Sequence, residues 1–177
     1  MEIIFIIFIL IIIFIVIEYN QFTMLRNKVK HSNSSIDVYL NQRFDLIPNL
    51  VETVKAYAKH EQETLSKITE LRNSYMEKKN KSFSDAYKLN TEFTNLFGIA
   101  ESMPELNSSK NFLQLQKALI KQESQLQAAR RIYNGDVTLY NTKLTTFPGN
   151  IVGRFFKFSE CELFEIEEYK RKNPLEK

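Results

Sequence analysis

The chain begins with an unbroken apolar run, and its hydrophobic pattern changes sharply after that run. Residues Ile3 to Ile17 are all apolar, with ten isoleucines and no glycine, proline or polar side chain. As a helix this run would be about 22 Å long at ~1.5 Å per residue. Extension from Met1 to Phe22 gives about 33 Å, enough to cross a hydrocarbon core of ~30 Å. We therefore expect residues 1–22 to form a transmembrane anchor.

Two other interpretations of the run are open. A cleaved signal peptide has a basic start and a small-residue cleavage site. Here Glu2 precedes the run and Glu18-Tyr19-Asn20-Gln21 follows it, so both features are missing. A buried core helix would have to hide every face of a segment that is mostly isoleucine. The uncleaved anchor is the interpretation that fits the flanking residues best.

After the anchor, the apolar positions recur with the period of a helix. The longest such stretch runs from Phe112 to Phe147, where Pro148 and Gly149 end it. Its spacings of three and four form a heptad-like stripe typical of a coiled coil, on a helix of roughly 50 Å. The stripe positions are Phe112, Leu115, Leu119, Leu126, Ala129, Tyr133, Val137, Tyr140, Leu144 and Phe147.

A similar apolar face runs from Tyr19 to Glu77 and follows directly on the anchor. The pattern predicts one rod that leaves the membrane and enters the body of the protein. Pro48 interrupts it, because proline lacks an N–H and clashes with the carbonyl group four residues earlier. The helix can kink at Pro48 or restart there. If it restarts, Asp45 is a good N-cap and Pro48 falls in the first turn.

Shorter elements complete the body. A helix is predicted from Ser84 to Glu101, begun by a capping-box pattern in which Ser82 is followed three residues later by Asp85. Residues 77–82 and 103–110 are predicted loops. A short helix is expected between Ile151 and Phe158.

These elements define an all-α fold class. The N-terminal transmembrane helix (1–22) continues into an elongated antiparallel helical bundle of three to four helices (23–166), and a charged flexible tail (167–177) follows. Such a body is large enough for a helical core and leaves no room for a separate catalytic domain.

Charge predicts the orientation of the anchor. The chain has 24 basic and 21 acidic residues, but no Lys or Arg precedes the apolar run. Arg26, Lys28, Lys30 and Arg43 follow it. The positive-inside rule then places the N-terminus outside a cell membrane and the body in the cytoplasm. The single cysteine, Cys161, agrees with a reducing compartment.

Candidate catalytic and metal sites are weak. His60-Glu61 begins like a zinc-protease helix, but Thr64 stands where the second histidine ligand is needed. Asp37 and Asp45 would lie about 12 Å apart along a helix, beyond the spacing of a glycosidase carboxylate pair. We expect Asp37 and Arg43 to form ion pairs with other helices. The sequence predicts no enzyme activity, no cofactor, no metal and no small-molecule substrate.

Two Tyr-Asn dipeptides stand one heptad apart, at Tyr133-Asn134 and Tyr140-Asn141, and a third occurs at Tyr19-Asn20. An amide beside a core seam fixes register by bonding across helices, so Asn134 and Asn141 are candidate structural residues. The alternative is a binding ladder for another helix. The basic run at residues 170–172 lies among glutamates and predicts a solvated tail, with no nucleic-acid binding.

With the block Asp45 to Val51 followed in order by Tyr133-Asn134, Tyr140-Asn141 and Phe147-Pro148, the chain resembles the LemA family of bacterial membrane-anchored proteins. The resemblance covers most of the chain from the anchor to about residue 166, and its most specific block is Asp45-Leu46-Ile47-Pro48-Asn49-Leu50-Val51. The other matching blocks are Tyr19-Asn20, Leu25-Arg26-Asn27, Ile36 to Leu40, Arg43 to Tyr57, His60-Glu61, Ala129 to Asn134, Tyr140-Asn141 and Phe147-Pro148.

The resemblance implies an N-terminal transmembrane helix, an elongated α-helical domain and no established enzyme activity. It also implies a link to membrane or envelope quality control, with membrane metalloproteases among the candidate partners. Two functional hypotheses follow. The first is a membrane-anchored scaffold or adaptor that holds a protein partner or a second copy of itself. The second is an envelope component that binds anionic lipid through Arg26, Lys28 and Lys30.

Overall fold

A computed structural model of the chain describes residues 1–57, 61–78 and 82–164. Within these ranges the chain is helical and contains no strand, which confirms the all-α prediction. The helices are α1 (Glu2–Phe44), α2 (Ile47–Lys55), α3 (Gln62–Glu77), α4 (Phe83–Glu101), α5 (Pro104–Asn107), α6 (Lys110–Thr145) and α7 (Gly149–Phe155).

The chain divides into two compact units. Unit 1 consists of residues 1–35 and 129–177, and unit 2 consists of residues 36–128. Helices α1 and α6 contribute to both units, because a unit boundary falls within each of them.

Helix α1 is one continuous helix of 43 residues, which confirms the predicted rod. Every side chain from Ile3 to Ile17 except that of Ile15 is exposed, whereas Phe22 and Val29 are buried. Within the described residues, α1 is the one helix long and apolar enough to cross a membrane, and its apolar stretch is not buried in the protein. A core helix would be buried, so the exposure of residues 3–17 argues against the interpretation of the apolar run as a buried core helix.

In unit 1, α1 and α6 run antiparallel. Glu18 pairs with Lys143 and Phe22 contacts Tyr140, so residue numbers rise along one helix as they fall along the other. The Phe22 and Tyr140 rings meet edge to face, with centroids 6.3 Å apart, in the favoured arrangement of an aromatic pair.

Helix α7 packs closely on the end of α6 through two glycines. A Cβ atom at Gly149 would lie 2.3 Å from the carbonyl oxygen of Lys143. A Cβ atom at Gly153 would lie 2.7 Å from Cδ2 of Leu144 and 3.5 Å from the Phe22 ring. Glycine at both positions therefore allows the two backbones to approach, and Val152 between them is buried. The predicted short helix after Pro148 is confirmed, but it spans Gly149–Phe155 instead of Ile151 to Phe158.

In unit 2 the rod restarts at Pro48 instead of kinking. Helix α1 ends at Phe44, and Pro48 is the second residue of α2, where its missing N–H leaves no helical bond unmade. The prediction that Asp45 caps α2 is wrong. The N-cap is Leu46, without a side-chain bond, because Asp45 still belongs to the last turn of α1 and donates its N–H to the Asn41 carbonyl at 2.9 Å.

Two further predictions need correction. The predicted helix to Glu77 is broken between α2 and α3, although the apolar spacing continues across the break and so does not reveal it. The predicted loop at residues 103–110 contains α5. Pro104 opens this single turn, and Leu106 is fully buried, so tertiary packing stabilises it.

The N-cap of α4 is confirmed. The Ser82 hydroxyl accepts a hydrogen bond from the Asp85 N–H at 3.1 Å and donates to the Asp85 carboxylate at 2.8 Å.

The predicted tail at 167–177 lies outside the described residues.

Candidate functional site: the tyrosine–asparagine face of helix α6

Residues 158–164 form a segment without helix or strand, which we call the C-terminal segment. It lies along four side chains of α6, namely Tyr133, Asn134, Tyr140 and Asn141, which we call the Tyr–Asn face. Both the segment and this part of α6 belong to unit 1.

The two asparagines each bind one residue of the segment twice. Asn141 donates from Nδ2 to the carbonyl of Cys161 at 2.8 Å and accepts its N–H at 3.0 Å. Asn134 donates to the carbonyl of Phe164 at 3.0 Å and accepts its N–H at 2.8 Å. Each amide thus satisfies the donor and the acceptor of one peptide residue, as a neighbouring β-strand would do.

The two tyrosines add bonds to the carbonyl groups of two other residues of the segment. The Tyr140 hydroxyl donates to Ser159 at 3.0 Å, and the Tyr133 hydroxyl donates to Glu162 at 2.8 Å. All six hydrogen bonds between the face and the segment therefore go to main-chain atoms of the segment.

The spacing of the asparagines matches an extended chain. Asn134 and Asn141 are seven residues apart on α6, which corresponds to a rise of about 10.5 Å at ~1.5 Å per residue. Their partners Phe164 and Cys161 are three residues apart, which an extended chain covers in about 10 Å at ~3.3 Å per residue. The heptad spacing of the dipeptides thus fits three extended residues, and the segment runs antiparallel to α6.

Aromatic contacts hold both ends of the segment. At one end the Phe158 ring stacks on Phe22 with centroids 5.0 Å apart, and its centroid lies 5.8 Å from that of Tyr19. At the other end the Arg130 guanidinium lies 4.8 Å from the Phe164 ring centroid, within cation–π range.

Between these ends the side chains of Ser159, Glu160, Glu162 and Leu163 are exposed, whereas Cys161 is half-buried. Burial raises the pKa of the Cys161 thiol, and the positive charge of Arg26 opposes that rise. Burial also raises the pKa values of Tyr133 and Tyr140, so both hydroxyls stay protonated and able to donate at neutral pH.

Of the other predicted site residues, Asp37, Arg43, Asp45 and Pro48 belong to unit 2. Arg26 and the anchor residues belong to unit 1, and Arg26 is exposed. Arg43 forms the expected ion pair, with Glu123, and burial lowers the pKa of its guanidinium. Burial, and next the charge of Asp37, raise the pKa of Tyr75 to about 12.

Asp45 pairs with Arg72 at 3.1 Å, and Arg72 also donates to the Phe44 carbonyl at the end of α1. The Arg72 guanidinium there satisfies an unpaired carbonyl group at the end of α1, and its positive charge is stabilised by the negative end of the helix dipole. His60 and residues 170–172 lie outside the described residues.

The sequence identified half of this site. The Tyr-Asn repeat indicated Asn134 and Asn141, but as contacts to another helix, and their partner is instead an extended segment. The segment itself was missed because main-chain contacts leave no periodic pattern in its side chains. The aromatic residues Phe158 and Phe164, one at each end, are the signal that could have indicated it.

Labelling of Cys161, the single cysteine of the chain, reports whether the C-terminal segment stays bound to the Tyr–Asn face. We expect Asn141→Ala to raise the rate of maleimide labelling several-fold at pH 8. Loss of both Asn141 bonds frees the segment, and exposure of Cys161 lowers its raised pKa and increases the thiolate fraction.

The exposed residue Asn27 of α1 supplies the control, because Asn27→Ala should leave the labelling rate unchanged. Equal rates in the wild type and in Asn141→Ala would show that the asparagine does not hold the segment.

Comparison with known proteins agrees with the resemblance. The model of the LemA family matches residues 32–176. A curated relative, Protein LemA of Metamycoplasma hominis, is 28% identical over 162 residues, which cover 86% of this chain and 71% of the relative. The family match spans most of the sequence, including the block around Pro48 and both asparagines of the Tyr–Asn face. The chain therefore belongs to the LemA family.

Proposed function

We propose that this protein is a single-pass membrane scaffold or adaptor, which holds other proteins at the membrane instead of converting a substrate. The observation that supports the proposal is the continuity of α1. The helix carries exposed isoleucines from Ile3 to Ile17 and then, without a break, the buried residues Phe22 and Val29. A membrane around its first half would fix the position of the packed half.

The exposed apolar surface has a large preference for lipid. Burial of one isoleucine side chain contributes about 1.5–3 kcal/mol, so the nine exposed isoleucines of this run favour a bilayer by more than about 10 kcal/mol. At the end of this surface, Glu18 is paired with Lys143 at 2.9 Å. The Lys143 ammonium also bonds Gln21 and lies 5.4 Å from the Phe22 ring centroid. This junction neutralises the first charge after the apolar run.

The anchoring and the scaffold role can be tested with the full chain. We expect the wild type to stay in the membrane pellet after alkaline carbonate extraction, and to copurify with a crosslinked protein from the same membrane or with a second copy. Ile7→Lys with Ile11→Lys should lower the fraction retained in the pellet, because each central charge costs about 2.5–3.5 kcal/mol on insertion.

Ile7→Leu with Ile11→Leu is the matched control and should behave as the wild type. Extraction of the wild type by carbonate would contradict the anchor. Recovery of the protein alone, with no oligomer on sizing, would contradict the scaffold.

The proposed orientation places the N-terminus outside and the body in the cytoplasm, since Arg26, Lys28 and Lys30 follow the anchor and no basic residue precedes it. We expect protease added to intact cells to leave the body undigested, and the same protease to digest it after the membrane is opened. Digestion of the body in intact cells would reverse the orientation.

Helix α7 supplies a second surface for the bilayer. Phe147, Ile151 and Phe155 are exposed by 78%, 62% and 78% of their surface, and Arg154 and Lys157 beside them are also exposed. The surface lies beside the end of the anchor, because the neighbouring Phe156 contacts Tyr19 with centroids 4.9 Å apart. Apolar side chains with adjacent basic ones are typical of helices that lie in the membrane interface.

Fluorescence can locate this surface, because the chain contains no tryptophan. We expect Phe155→Trp, reconstituted in vesicles, to be strongly quenched by brominated acyl chains. Ile132→Trp is the control: Ile132 is also exposed, but it lies about 16 Å further from the anchor than Lys143 along α6. Equal quenching of the two variants would contradict interfacial seating of α7.

A further inference from the structure

The Tyr–Asn face recognises a peptide main chain. Among the described residues, six hydrogen bonds join this face to the C-terminal segment, and all six go to N–H or carbonyl groups of the segment. Side chains of one α-helix thus do what a sheet edge does when it binds an extended peptide. Any peptide that extends and offers free N–H groups three residues apart can make the same bonds.

Both ends of the face add side-chain preferences. The Phe22 and Tyr19 rings receive an aromatic residue at Phe158, and Arg130 receives a second aromatic residue six positions later, at Phe164. The rings set the two ends of the bound peptide, and the asparagines set its register between them.

The charges between these ends favour an acidic peptide. Two cations lie near the face: Arg26, whose charge acts on Cys161 and on Tyr140, and Arg130, whose guanidinium lies 4.8 Å from the Phe164 ring centroid. The bound segment places Glu160 and Glu162 there, with exposed side chains.

We propose that the Tyr–Asn face is a binding site for partner proteins that present an extended acidic peptide with aromatic residues six positions apart, and that the C-terminal segment occupies this site in cis. The inference deepens the scaffold proposal and rests on it, because it names the chemistry of the partner. Proline is excluded at the positions equivalent to Cys161 and Phe164, where the N–H is bound.

Because the C-terminal segment of the same chain occupies the site, only a partner that binds more strongly than this segment can displace it. A tethered segment competes at an effective concentration in the millimolar range for short linkers, so a weak free peptide does not displace it. A partner must bring a high local concentration, as a neighbour in the same membrane does, or further contacts outside the six bonds. The C-terminal segment therefore sets the threshold that a partner has to exceed.

The test uses the full chain in detergent micelles with a weakened C-terminal segment. Cys161→Pro removes one bound N–H, and Phe164→Ala removes the ring on Arg130, while the Tyr–Asn face stays intact. The probe is a fluorescent peptide of residues 157–164 that carries Cys161→Ser. By fluorescence anisotropy we expect this variant to bind the probe at least about tenfold more tightly than the wild type, whose site is already occupied.

Two matched pairs test the mode of binding. In the weakened chain, Asn134→Asp should reduce affinity by roughly tenfold or more, because a carboxylate oxygen replaces the donor that faces a carbonyl group. Asn27→Asp adds the same charge at an exposed position of α1 and should have little effect. In the probe, N-methylation at position 161 should abolish binding, whereas alanine at the exposed position 163 should not.

Absence of probe binding to the weakened chain, with an unchanged circular dichroism spectrum, would overturn the proposal and leave the segment as part of the fold. Binding insensitive to Asn134→Asp would overturn it as well. Exchange of the segment between differently labelled wild-type copies would assign the site to a second copy instead of a partner. Because the assay needs no bilayer, failure of the carbonate experiment would not affect it.

Discussion

The rest of this structure depends on a helix that satisfies its own backbone hydrogen bonds over 43 residues. Because no main-chain group of its interior needs a partner, α1 can have apolar surroundings on all sides in its first half and packed surroundings on one face in its second half. An open strand or a loop could not make this change without unpaired polar groups. The exposed isoleucines and the buried Phe22 therefore belong to the same element, so the apolar stretch and the packed stretch are joined without a break.

The C-terminal segment satisfies its backbone by other means. It has no helix or strand, and Asn134 and Asn141 supply the donors and acceptors that a neighbouring strand would supply. Amide side chains suit this task, because one group carries both a donor and an acceptor. Neutral tyrosine hydroxyls supply two more donors, since burial raises the pKa of Tyr133 and of Tyr140 and keeps each proton in place for donation.

The sequence predicted the long helices well because each buries a regular stripe. Helix α6 was placed within two residues at each end, since Pro148 and Gly149 mark its end and Phe112 begins its stripe. Features that depend on tertiary contacts were not predictable in the same way. Asp45 has the chemistry of an N-cap, but it remains in the last turn of α1, and its carboxylate pairs with Arg72. The break after α2 leaves the apolar spacing intact, so no local signal indicates it.

The exposed side chains of the C-terminal segment have a consequence for how its surface can change. Ser159, Glu160, Glu162 and Leu163 are exposed. Between the two aromatic ends, the segment is held by main-chain atoms, which are common to all amino acids except, for the N–H groups, proline. Residues at these four positions can therefore be exchanged without a change in the bonds that attach the strip to α6. The charge and polarity of the exposed surface of the C-terminal segment can therefore change while the fold stays the same.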